Sequence, residues 1–89
     1  MNKLHELLNS ERLTETALAE GGGVLLDLEG QQILSLNGVG LEIVHMLRRE
    51  AMSQAELAAH IVQAYGIDED TAAGDVALFI ERLSQFLRL

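Results

Sequence analysis

Residues 31 to 47, QQILSLNGVGLEIVHML, change period partway along. Up to Leu36 the residues alternate as in a strand, whereas Leu41, Val44 and Leu47 recur at helical spacing. The switch falls on Asn37 and Gly38. Asn37 is a good helix N-cap, and Leu36 before it with Leu41 after it form a hydrophobic staple. Leu36 then belongs both to a sheet face and to the staple, so the strand must hand over directly to a helix locked onto the sheet.

Upstream, VLLDLEGQQILSLN reads as a β-hairpin around Glu29 and Gly30. A three-residue loop, Glu29 to Gln31, sets Leu28 opposite Gln32, Leu26 opposite Leu34 and Val24 opposite Leu36. Val24, Leu26, Leu28, Leu34 and Leu36 would then share one face, with Leu25, Asp27, Ile33 and Ser35 on the other. A two-residue loop would instead set Ile33 and Ser35 opposite Leu26 and Val24. The three-residue register gathers more leucines on one face and is the expectation adopted. In it Gln32, Leu34 and Leu36 bond to the partner strand, and Ile33 and Ser35 turn their backbone groups outward.

Two more helices follow. In MSQAEL, Ser53 and Glu56 fit a capping box and Met52 pairs with Leu57 as a staple; Gly66 after Tyr65 suits a left-handed C-cap. The last helix starts from Asp68, Glu69 and Asp70, whose carboxylates favour a helix N-terminus, and runs toward the chain end. Its expected core stripe is Val76, Phe79, Ile80, Leu83 and Leu87. Gly74 lies inside it at a cost of about 1 kcal/mol relative to Ala, which suggests a close approach there, of another helix rather more than of a ligand. Upstream of the hairpin, Gly21 to Gly23 are a loop, propensity does not decide residues 12 to 20, and Leu4, Leu7 and Leu8 have the spacing of a short helix that needs packing to persist.

With 89 residues there is room for one core, so the chain is read as a single domain over 1–89, in which 1–12 form an N-terminal extension. No cysteine is present and MNKLHELLNSER lacks the apolar run of a signal peptide, so the cytoplasm is the default location. No stretch approaches the roughly 20 apolar residues of a membrane span. Fourteen acidic residues against six Lys and Arg give a formal net charge of -8, and no Lys or Arg falls between Arg49 and Arg82. That helical half would repel a phosphate backbone, against nucleic acid as a partner.

The catalytic inventory is thin. His5, His45 and His60 lie far apart without a metal-type spacing, so no metal site is expected. No nucleophile motif or phosphate-binding loop is present, no cofactor is implied, and an enzyme is not expected.

The stretches GGGVLLDLEGQQILSLNGVGLEI, SQAELAAHIVQAYG and DVALFIERLSQFL, taken together, resemble the PqqD-like family of leader-peptide-binding domains, also called RiPP recognition elements. The resemblance covers roughly residues 20 to 87 and is carried by Leu36-Asn37 with Gly40 and Ile43, by Glu56-Leu57-Ala58, and by Asp75-Val76 before Phe79 and Leu83. The RRE at 48–50 departs from the Asp-Gly turn common in the family, which bears on the loop between the first two helices. The resemblance implies an α+β, winged-helix-like fold, a small three-stranded antiparallel sheet followed by three helices, with the first strand drawn from residues 13 to 18.

It also implies a non-catalytic protein that captures the leader of a ribosomally made precursor peptide and presents it to a modifying enzyme, such as a radical SAM enzyme or a leader peptidase in lasso peptide maturation. The leader would add as a strand to Gln32, Ile33, Leu34, Ser35 and Leu36 and lie against Asp75, Leu78, Phe79 and Arg82. Two other classes stay open at this point. One is a winged-helix DNA-binding regulator, disfavoured by the acidic helices. The other is a structural or oligomerisation module, since an exposed edge strand can pair with its own copy; a monomer or weak homodimer fits the leading reading. The sequence does not identify the peptide, the enzyme, or whether the product is a quinone cofactor, a lasso peptide or another modified peptide.

Overall fold

A computed structural model of the chain describes residues 2–88. A short helix α1 (Asn2–Leu8) precedes three strands, β1 (Leu13–Ala17), β2 (Gly23–Asp27) and β3 (Gln32–Leu36), and three helices, α2 (Gly38–Arg49), α3 (Gln54–Tyr65) and α4 (Glu69–Leu87). The strands form one antiparallel sheet in the order β1-β2-β3. Sheet and helices follow the expected α+β plan.

Local signals fix most helix ends. Asn37 caps α2, its side chain accepting from the Gly40 N–H at 2.7 Å. Ser53 and Glu56 form the reciprocal capping box of α3, and Gly66 closes that helix in the left-handed conformation at φ 67°. At α4, Asp68 holds the N-cap position without a side-chain cap bond, while Glu69 and Asp70 sit in the first turn where the helix dipole favours them. The helix stops at Leu87, because Arg88 turns to φ 61°; the final residue lies outside the described range. In the RRE segment α2 simply continues through Arg49, and the Glu50 N–H donates to the Met46 carbonyl.

The core joins the sheet and the helices. Leu25 and Leu36 from the sheet, Ile43, Val44 and Leu47 from α2, Leu57 and Ile61 from α3, and Val76, Ile80 and Leu83 from α4 are buried in one cluster. Leu4 and Leu8 of α1 complete it. Seven residues of helix have little stability alone, and α1 is held by packing and by two bonds that serve α2. His5 Nδ1 donates to the Leu47 carbonyl at 2.6 Å and Asn9 Nδ2 to the Arg48 carbonyl at 2.9 Å. These carbonyls lie in the last turn of α2, where the helix has no partner of its own to offer. The sheet is tied to the same helix through Glu15, which accepts from His45 Nε2 at 2.6 Å and faces Arg48 at 3.8 Å.

The hairpin register differs from the expected one. Val24 faces Ser35, Leu25 faces Leu34, Leu26 faces Ile33 and Asp27 faces Gln32, so the loop has four residues, Leu28 to Gln31. Leu25 and Asp27 therefore join Leu34 and Leu36 on the core side, while Val24 and Leu26 share the opposite face with Ile33 and Ser35, and Leu28 is exposed. The cause is Asp27. Its carboxylate, 2 % exposed, receives Arg12 in a two-pronged pair at 2.9 and 3.0 Å and accepts from the Glu29 and Gly30 N–H groups at 3.1 Å. An inward Asp that bonds the turn backbone folds the loop around itself, and Gln31 takes the left-handed conformation at φ 55° that returns the chain to the ladder.

The Arg12 hydrogen bonds, then the backbone donors of Gly30 and Glu29, hold the Asp27 carboxyl down to about 2. A carboxyl whose folded value lies below its unfolded value stabilises the fold fully at pH above the unfolded value, near 4, and the contribution is lost as pH falls through about 2. Circular dichroism melts between pH 7 and 2 should show this acid-side decline. Asp27→Asn should lower the neutral-pH melting temperature and flatten the acid limb; an unchanged limb would remove Asp27 as its source.

Two expectations for α4 are corrected. Phe79 is only partly buried and Phe86 takes the inward place, at 8 % exposed. Gly74 has no close neighbour: a Cβ built there meets nothing within 4 Å. Its missing side chain serves no packing purpose in the described structure, so Gly74→Ala should stabilise the protein by about 1 kcal/mol through helix propensity. For a domain of this size that is a rise of about 4–8 °C in a thermal melt.

Candidate functional site

β3 lies at the edge of the sheet, paired on one side only, with β2. Which of its backbone groups are free follows from the ladder. Beyond the β1–β2 strand ends, the Leu28 N–H donates to the Arg12 carbonyl and the Leu18 N–H to the Gly22 carbonyl. Hydrogen-bonded pairs alternate along an antiparallel ladder, so Val24 and Leu26 direct their backbone groups to β1. Gly23, Leu25 and Asp27 are left to bond β3, through Leu36, Leu34 and Gln32. Ile33 and Ser35 thus point N–H and C=O away from the sheet. These are the free groups expected from the sequence as well, because the observed pairing, the one set aside with the two-residue loop, shifts β2 by one residue and leaves the alternation of β3 in place.

Beside the C-terminal end of this edge a cleft of about 180 Å³ opens between the first turn of α2 and the middle of α4. Asn37, Val39, Gly40 and Ile43 form one wall, and Asp75, Leu78, Phe79 and Arg82 the other. The four α4 residues named from the sequence therefore share one cleft. Asp75, Leu78 and Arg82 follow each other at spacings of three and four, on one helical face. Leu78 is 49 % exposed, a large apolar side chain on an acidic helix. Neither Asp75 nor Arg82 is in an ion pair with another described residue, so both charges face the opening without a partner.

The α2 wall was not among the expected contacts, although Gly40 carried a signal. A Cβ at position 40 would lie 2.9 Å from Phe79 Cε1 and 3.3 Å from the capping Asn37 Oδ1. Only glycine lets the Phe79 ring rest on the first turn of α2, and this contact draws Phe79 out of the core stripe to form the cleft floor.

The β3 residues divide by face. Gln32 and Leu34 are partly buried and Leu36 is buried, whereas Ile33 and Ser35 are exposed, Ile33 at 68 %. The arrangement offers main-chain donors and acceptors along one line, an apolar hollow beside it, and one charge of each sign at the helix wall. It can bind an extended chain.

A family model described as coenzyme PQQ synthesis protein D (PqqD) matches residues 22–85. No curated protein matches the chain. Among solved structures, TbiB1 in complex with the TbiA(beta) leader peptide is similar at a TM-score of 0.71 and 25 % identity, over 85 % of this chain and 86 % of that one. Lasso peptide synthetase B1 complexed with the leader peptide matches at a TM-score of 0.71 and 24 % identity, over 85 % and 87 %, a likeness of fold.

Proposed function

Because this chain belongs to the PqqD family, we propose that it is a non-catalytic carrier that binds the leader of a ribosomally made precursor peptide and presents it to a modifying enzyme. The observation that carries the reading is the open β3 edge beside the Leu78–Phe79 cleft, in a fold that in TbiB1 is seen with a leader peptide. Strand addition lets the backbone of Ile33 and Ser35 supply affinity while the cleft reads side chains. Gln32, Ile33, Leu34, Ser35 and Leu36 form the edge; Asp75, Leu78, Phe79 and Arg82 form the helix wall. The enzyme served is of the radical SAM or leader peptidase kind, the location is cytoplasmic, and α1 works with the rest as one unit. No described helix is long and apolar enough to cross a membrane.

Amide exchange tests the reading directly. In the free protein the Ile33 and Ser35 N–H groups should exchange fast and that of Leu34 slowly. Adding the synthetic leader of the precursor encoded with this chain should protect Ile33 and Ser35 and leave Leu34 as it was. Unchanged exchange at both positions under saturating peptide would place binding elsewhere. At the helix wall, Arg82→Glu should weaken leader binding several-fold at low salt and less at moderate salt, because an exposed charge is screened. Equal affinity at both salts would remove Arg82 from the site.

A further inference from the structure

The sheet has a second face that the binding edge does not use. By the observed register Thr14 and Thr16 of β1, Val24 and Leu26 of β2, and Ile33 and Ser35 of β3 share the side away from the helices. None of the six is charged. Leu28, 60 % exposed, continues the row past β2, and Leu26, Leu28 and Ile33 border a shallow hollow of about 250 Å³ on the hairpin end. An antiparallel sheet commonly turns polar residues to water on its free face. Here that face is apolar in the middle and neutral throughout, on a chain of net charge -8.

The segments that flank its strands are acidic. Glu29 lies in the β2–β3 loop and Glu20 in the β1–β2 loop, both exposed, with Glu11 next to the start of β1. The three strands carry no Lys or Arg, and Arg12, just before β1, is held by Asp27. An apolar centre with a carboxylate rim selects its partner by charge. A second copy of the chain would bring like rims together across the contact, under mutual repulsion of two molecules at -8.

We propose that this face docks a folded partner whose own apolar patch is bordered by Lys and Arg, and that the partner is the enzyme acting on the carried peptide. The last clause rests on the carrier reading above; the surface itself does not. A strand added to β3 would place alternate peptide side chains next to Ile33 and Ser35, continuous with this face. A partner seated there would touch carrier and peptide at once, and the cleft on the other side would stay filled by the leader.

The test uses the full chain and, as probe, the purified peptide-modifying enzyme or leader peptidase encoded beside it, with no leader present. Leu26→Thr with Leu28→Ser removes apolar area while keeping a strand former at position 26. Glu20→Lys with Glu29→Lys reverses the rim. Each pair should weaken enzyme binding at least tenfold, with the far-ultraviolet spectrum unchanged and leader affinity within twofold of the parent. Parent-like enzyme binding by both pairs, or no binding by the parent, would overturn the proposal. So would concentration-dependent dimerisation of the parent in sedimentation that the Leu26→Thr/Leu28→Ser pair abolishes, since the occupant would then be a second copy. Leader binding is measured separately, so failure of the carrier reading would be seen as loss of that signal in the parent itself.

Discussion

Ser35→Pro should leave the protein folded and weaken leader binding tenfold or more. Proline lacks the N–H, and at position 35 that donor points to the open edge, so the sheet loses no bond when it is removed. A strand position also suits the backbone angle of proline and the extended residue before it. The peptide loses one hydrogen bond, worth about 0.5–1.5 kcal/mol net, and meets the ring where it would lie flat; tenfold corresponds to about 1.4 kcal/mol. The matched control is Leu34→Pro, which deletes a donor spent on Leu25 in the middle of the ladder, and it should unfold the protein. Thermal melts of both variants with titration of a labelled leader check the pair. A folded Ser35→Pro protein with parental affinity would end the case for strand addition at β3.

The second large effect is expected outside the residues that the family model matches. Leu8→Ala in α1 should cost about 2–5 kcal/mol, the usual range for emptying a buried leucine site. Leu8 is 1 % exposed in the common core. Total stability at roughly 0.05–0.15 kcal/mol per residue comes to about 4–13 kcal/mol for a chain of this length, so the loss is a large share of the whole. The melting temperature should fall by more than about 10 °C. A change of a degree or two in a chemical or thermal melt would show α1 to be an appendage.

These cases mark where sequence reasoning reached and where it stopped. Asn37, Ser53 with Glu56, and Gly66 were legible because a cap is settled within a few residues of chain, and all three occur as read. The hairpin register was not, although Asp27 and Gly30 stand three apart, the spacing of a type I turn whose first residue bonds the turn backbone. Counting leucines per face outweighed that local signal. The inward turn of Asp27 depends on Arg12, a residue from before the neighbouring strand. Helical spacing put Phe79 in the core stripe and left Phe86 out of it; Gly40, on another helix, decides that Phe79 lines the cleft instead. The short α1 could be seen as a helix, but its hold on the Leu47 and Arg48 carbonyls joins residues some forty positions apart, and no pattern in the sequence announces it.

The open side of β3 also governs how the protein behaves in a tube. An edge with free N–H and C=O groups is adhesive toward any extended chain, another molecule of the same protein included. The strand itself has no lysine or proline to blunt it. The force that opposes such pairing is the long-range repulsion of an excess of eight negative charges. That protection is colloidal and weakens with salt. It also disappears on acidification toward the isoelectric point near 4.6, well above the pH at which the Asp27 clasp of the hairpin fails. Concentrated stocks of the unliganded protein should therefore cloud first on mild acidification or salting, and saturating the edge with peptide should keep them clear.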